Sequence, residues 1–231
     1  MDANAAPEPP PPKPVDVAAA ASVLRPALVL WLLSQVAYGG YAQLTALFWH
    51  PDSDARAWLL VYEAGYLVLC GVVLAFVWRD ADARRVFVRP RPRVVELCLL
   101  VGIVTALVLS MWERGLPSWD GSSPMATERG AGWPVWASLL ASAVLPALFE
   151  EWMYRGLLLT RFLRVLPTGL AIALQAMLFA AMHFDHVMLL PHFVFGVVAG
   201  AMRIVAGGLW PCMLMHFLWN GYIVLLVYEL L

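Results

Sequence analysis

Apolar runs long enough to cross the hydrocarbon core of a bilayer recur along almost the whole chain. A crossing helix needs about 20 residues. Such runs stand at Ala27 to Phe48, Ala57 to Trp78, Val94 to Trp112, Trp133 to Leu166, Thr168 to Phe184, Val187 to Ile204 and Leu209 to Leu231. A spanning segment must satisfy its own backbone hydrogen bonds, and the alternating pattern of a lipid-facing barrel strand is absent. The expected fold is therefore all-α, a polytopic transmembrane helical bundle of about seven spans. The fourth run is the longest, and Pro146 inside it predicts a tilt, a kink or a break into two pieces.

Composition narrows the function classes. Of the 231 residues, 62% are hydrophobic and 13% are charged, against about half and about a quarter in soluble domains. With a net charge of -1, an ordinary soluble enzyme, an extracellular disulfide scaffold and a nucleic-acid binder are excluded, because each needs a hydrated or strongly basic surface. Cys70, Cys98 and Cys212 each sit in an apolar run without CxxC or Cys/His spacing, so they read as small hydrophobes. Residues 1–21 read as a disordered Pro/Ala-rich tail (PEPPPPKP) that lacks the parts of a signal peptide. Residues 22–132 read as three transmembrane helices with their loops, and residues 133–231 as a catalytic transmembrane core.

Charges set an orientation. The connection after the second run holds Arg79, Arg84, Arg85, Arg89, Arg91 and Arg93, while its neighbours mix acids and bases. The positive-inside rule puts this cluster, and with it the N-terminus, on the cytoplasmic side of a plasma or bacterial inner membrane.

Ionisable side chains at membrane depth cost about 2.5 to 3.5 kcal/mol each, and so pair, face water or act. Gln35, Glu63 and Glu96 are the main polar residues of the first three runs, whereas the last four carry Glu150, Glu151, Arg155, His183, His216 and Asn220. Glu151 and Arg155 stand one turn apart with the acid first, an arrangement that neutralises itself. Glu150 points about 100° away around the helix and is the better candidate base. A buried salt-bridge network that only locks helices together is the competing reading of all three. Phe179 and His183 share a helix face, as do His216 and Asn220. Imidazole and carboxylate together can orient and deprotonate a water, and an imidazolium or amide can donate to the oxyanion formed when that water adds to a carbonyl. Counted from the inner ends of their runs, Glu150, His183 and Asn220 lie at roughly 21, 22 and 18 Å. One pocket built from the fourth, fifth and seventh runs is thus expected.

The remaining candidates read more plainly. Asp185 and His186 suit a solvated loop, or else a proton carrier or metal ligand at the mouth of the site. His192 beside Pro191 reads as structural, His50 as a loop residue, and Gly196 and Gly200 as a close helix contact. Most of the eleven tryptophans fall near run ends, where interfacial anchoring explains them.

Taken in order, EEWMYRG (Glu150 to Gly156), FAAMH (Phe179 to His183) and HFLWN (His216 to Asn220) resemble the E-E-x-x-x-R, F-x-x-x-H and H-x-x-x-N motifs of the CAAX protease and bacteriocin-processing family, also labelled CPBP or Abi. The resemblance runs from about Trp133 to Tyr222. It implies an intramembrane endopeptidase in which Glu150 activates water with help from His183, and His216 and Asn220 stabilise the oxyanion. Glu151, Arg155 and Phe179 would hold the site in shape. The family is often called a metalloprotease, and Glu150, His183 and His216 would suit zinc. With no HExxH in the chain, the polar set equally supports a metal-free mechanism, and no cofactor is clearly required. The implied partners are the lipid bilayer and a membrane-anchored protein or peptide cut in a C-terminal segment, of CAAX-like or bacterial sorting or bacteriocin type. No nucleic acid is expected. A proton- or ion-coupled small transporter and a noncatalytic immunity or scaffold protein are the readings from other classes, since buried charges also line transport pathways.

Overall fold

In the computed structural model, the described residues are 16–48, 54–86, 92–114, 124–183 and 187–231. Nine helices order them: α1 (Val17–Phe48), α2 (Ala55–Arg79), α3 (Ala81–Arg85), α4 (Pro92–Arg114), α5 (Pro124–Gly130), α6 (Val135–Phe162), α7 (Thr168–Ala181), α8 (Leu189–Ala206) and α9 (Trp210–Val227). No strand occurs among the described residues. Six of the helices, α1, α2, α4, α6, α8 and α9, are long and apolar enough to cross a membrane. The chain is an integral membrane protein. Only the fifth expected run falls short: α7 has 14 residues and rises about 21 Å against a core of about 30 Å. It stops because the chain turns at Met182 and His183, ahead of the polar Asp185 and His186, which lie outside the described residues together with His50.

The fourth run neither breaks nor splits at Pro146. It forms one helix containing two π segments, Leu139–Val144 and Trp152–Leu158, with α-helical Leu145–Glu151 between them. Pro146 is the second residue after the first π segment. A π turn already relaxes the i→i−4 ladder there, so the missing proline N–H is absorbed without a break.

The core lies between α6, α7, α8 and α9, around Tyr154, Leu158, Phe179, Phe195, Ala199, Met215 and Trp219. α7 and α8 form a hairpin whose backbones approach closely. A Cβ added at Gly196 would stand 2.8 Å from Ala176 Cα, and one at Gly200 would stand 2.9 Å from Gln175 Nε2. α8 ends at Gly207, whose φ of 73° is left-handed, and the Gly207 N–H caps Arg203 O. By contrast, α1, α2 and α4 expose Leu32, Leu33, Val36, Val68, Leu100 and Val108, as lipid-facing helices do.

Charge is tied down at the helix ends. Asp80 caps α3 through the amides of Asp82 and Ala83, at 3.0 and 3.2 Å, and pairs with Arg161 at the end of α6. Asp82 pairs with Arg164. Burial pushes the Asp80 carboxyl up, but the Arg161 bond and the two amides outweigh it and hold the group below the usual carboxylate range. At the opposite end Arg129 pairs with Glu229 at 2.8 Å, and Arg56 Nε donates to Ala131 O at 2.7 Å.

Candidate active site

Three helices bring the motif residues together. The Arg155 guanidinium, fully buried, donates from Nη1 to Glu151 Oε1 at 2.8 Å. Its face lies 4.4 Å from the ring centre of Phe179 and 5.4 Å from that of Phe195, a cation–π contact strengthened by the absence of water. Phe179 thus seats the arginine, and its ring also meets those of His183 at 5.0 Å and His216 at 6.0 Å.

Glu151 does more than neutralise Arg155. Its Oε1 also lies 2.9 Å from His216 Nδ1. A carboxylate paired with arginine only accepts, so Nδ1 donates, and Nε2 is the nitrogen that stays available. That Nε2 lies 3.9 Å from Glu150 Oε2. Glu150 Oε2 is buried and has no hydrogen-bond partner among the described residues. Glu150 therefore projects away from Arg155, while Glu151 carries the arginine and orients the histidine.

His183 is fixed by the same logic. Its Nδ1 lies 3.0 Å from Phe179 O, and a carbonyl can only accept, so Nδ1 carries the proton and the neutral ring offers Nε2 as an acceptor. His192 repeats the arrangement with Met188 O at 2.8 Å and stacks on His183, ring centres 3.6 Å apart and planes at 21°. Its role as a neighbour of the site was hidden in the sequence, because the hairpin that joins residues 183 and 192 could not be read from helical spacing. Asn220 Nδ2 donates to Ser142 O at 2.9 Å, and Ser142 Oγ donates to Glu128 Oε1 at 2.6 Å.

A cavity of about 720 Å³ lies between α1, α2 and the middle of α6, with Glu150 and His183 in its wall. His216 and Asn220, on α9, are not in that wall. The pocket is thus not a chamber of the fourth, fifth and seventh runs alone. Its far side is made by Leu33, Gln35, Tyr38, Tyr66 and Val73 of the first two helices. Trp31 Nε1 of α1 donates to Tyr154 Oη of α6 at 2.9 Å, which ties that far side to the motif helix.

Among the described residues, no group of three or more His, Cys, Asp or Glu side chains is arranged to hold a metal ion. His216 Nδ1 is committed to Glu151 and His183 Nδ1 to Phe179 O, which leaves Nε2 of each ring open. Glu150, His183 and His216 are not gathered into such a group in this arrangement, and no step below is routed through a metal.

These features define a polytopic membrane protein with a buried glutamate, histidine and arginine cluster beside an intramembrane cavity. Residues 132–222 match the family described as Type II CAAX prenyl endopeptidase Rce1-like, which falls within the CAAX protease and bacteriocin-processing group. The match covers all three motifs and leaves α1 to α5 outside it. No curated protein and no solved structure matches the chain.

Proposed function

We propose that the chain hydrolyses a peptide bond of a membrane-anchored or C-terminal segment, with Glu150 as the base that activates water. The observation that carries this reading is the Glu150 carboxylate. Its Oε2 is buried without a hydrogen-bond partner among the described residues and lies 3.9 Å from His216 Nε2, and the side chain stands in the wall of a cavity shared with His183.

Glu150 takes a proton as the water oxygen adds to the scissile carbonyl carbon, and His183 Nε2 accepts the second water hydrogen and orients the attack. The carbonyl oxygen becomes an oxyanion as its π bond opens. His216, when its Nε2 is protonated, donates to that oxyanion. Asn220 offers its second amide hydrogen, since only one is committed to Ser142 O. Collapse breaks the C–N bond, and Glu150 returns its proton to the leaving amine. Throughout, Glu151 holds His216 through Nδ1 while Arg155 balances the Glu151 charge. The substrate is of CAAX-like or bacterial sorting or bacteriocin type and reaches the site from the bilayer. The arginine-rich connection after α2 and the N-terminus face the cytoplasm.

The test is Glu150→Gln in purified protein, offered anchored peptides of these types. Cleavage by the wild type and loss of cleavage in a variant of unchanged thermal stability are expected. Retained cleavage in the variant overturns Glu150 as base, and no cleavage by the wild type overturns the proteolytic reading.

A further inference from the structure

We propose that Gln35 of α1 binds substrate, its side-chain carboxamide pairing with a main-chain peptide group of an extended segment beside the bond that the Glu150-activated water attacks. The proposal rests on the proteolytic reading and assigns a role to a helix outside residues 132–222.

Helical spacing puts Trp31, Ser34, Gln35 and Tyr38 on one face of α1. The last three line the cavity that holds Glu150. Register follows from one bond. Trp31 Nε1 meets Tyr154 Oη at 2.9 Å, and α1 and α6 run in opposite directions, because two crossings, α2 and α4, separate them. One turn on from Trp31 is Gln35, and one turn back from Tyr154 is Glu150. The two side chains therefore repeat, one turn further along, the relation that Trp31 and Tyr154 already satisfy.

Gln35 is also oriented. Its Nε2 donates to Ser34 Oγ at 3.2 Å, and Ser34 Oγ donates to Trp31 O at 2.6 Å. One amide hydrogen is spent in this way. The carbonyl oxygen and the second amide hydrogen make no further hydrogen bond among the described residues. The wall around them is largely aliphatic, with Leu30, Leu33, Leu69 and Val73. An occupant that displaced water without offering a donor and an acceptor would leave the carboxamide unsatisfied, at a cost in binding. A purely aliphatic chain is such an occupant. An unwound peptide segment has the opposite deficiency, backbone N–H and C=O groups without partners in an apolar medium. A carboxamide carries the same donor and acceptor as a peptide group and answers both needs at once. Recognition of this kind reads the main chain and is indifferent to substrate side chains.

The experiment pairs Gln35→Leu with a series of fluorescent apolar peptides, N-methylated at one amide at a time. Cleavage is followed in the wild-type background, and binding is followed by anisotropy in the Glu150→Gln background. On the unmodified peptide, Gln35→Leu raises KM and Kd about 3- to 10-fold, the loss of one hydrogen bond, with kcat unchanged because the bond is made equally in ground and transition states. At one N-methyl position the substitution has a smaller effect than at the others, because the bond to that N–H is already gone. Thermal stability of Gln35→Leu shows that the fold is intact, and Gln35→Met serves in its place if it is not. Unchanged KM and Kd, or an equal loss on every N-methylated peptide, overturns the assignment of Gln35. Peptide that binds with this dependence but is never cut removes the proteolytic reading and leaves Gln35 standing. No binding by any form overturns both.

Discussion

Arg155 is the side chain whose removal has the most calculable outcome. Both it and Glu151 are completely buried, 2.8 Å apart, so Arg155→Met leaves a carboxylate with His216 Nδ1 as its remaining bonded partner. Breaking a buried pair from one side costs about 3 to 5 kcal/mol. The guanidinium also covers the face of Phe179 at 4.4 Å, a desolvated contact of about 2 kcal/mol that methionine replaces in part. For a chain of this size each kcal/mol moves Tm by about 2 to 4 °C, so a fall of about 6 to 20 °C is expected. Adding Glu151→Gln removes the orphaned charge, and the double variant should regain at least half of the loss while remaining inactive. The assay is a thermal ramp in detergent with a thiol-reactive dye, which reports unfolding through the buried Cys212 and the half-buried Cys70. An Arg155→Met protein that melts within about 2 °C of wild type, or a double variant no better than the single one, refutes the account of this pair as a buried ion pair under load.

Other outcomes follow from the same geometry. His192→Ala removes the ring stacked on His183 and should lower kcat about tenfold with KM little changed, whereas His192→Phe, which keeps a flat ring, should recover most of it; equal activity of all three in a steady-state assay would show that the stack does not position His183. Gly196→Leu must push Ala176 away from 2.8 Å and should cost about 1 to 3 kcal/mol as overpacking, read as a lowered Tm. Asp80 has a folded pKa below its unfolded value of about 3.9. Its contribution to stability is therefore complete above that value and is lost as pH falls through the folded pKa. The Tm gap between wild type and Asp80→Asn should be constant from pH 7 to 5 and close below about pH 4; a gap that widens in acid would contradict the Arg161 pairing.

Local spacing made part of this legible. Glu151 and Arg155 sit four residues apart, so their bond could be written from the sequence, and the run lengths located every crossing helix. What crosses between helices could not be written. Spacing says nothing about Glu151 reaching His216, because that contact depends on how α9 lies against α6. The short α7 looked like a full span because hydrophobicity continues past the point where the chain turns. Glu150 facing away from Arg155 was readable from helical phase, whereas the wall opposite it was not. Gln35 stands beside Ser34 in a long apolar run, and only the Trp31 to Tyr154 bond reveals that its face meets the site.

The two π segments carry a consequence for how this helix tolerates changes in length. Each π turn holds one residue more than the α-helix would at the same rise, and one lies on each side of Leu145–Glu151. The glutamate pair is thus mounted on a short α segment whose azimuth is offset from both flanks. Deleting Ala141 would let the first surplus turn close to an ordinary α turn of nearly the same rise and rotation, so the residues before it would keep their phase relative to Glu150. Deleting a residue of the second segment would close that turn in the same way and leave Arg161 facing Asp80. The helix therefore behaves as a rod with two slip joints, each able to give up one residue while the acids stay facing inward and both ends keep their partners.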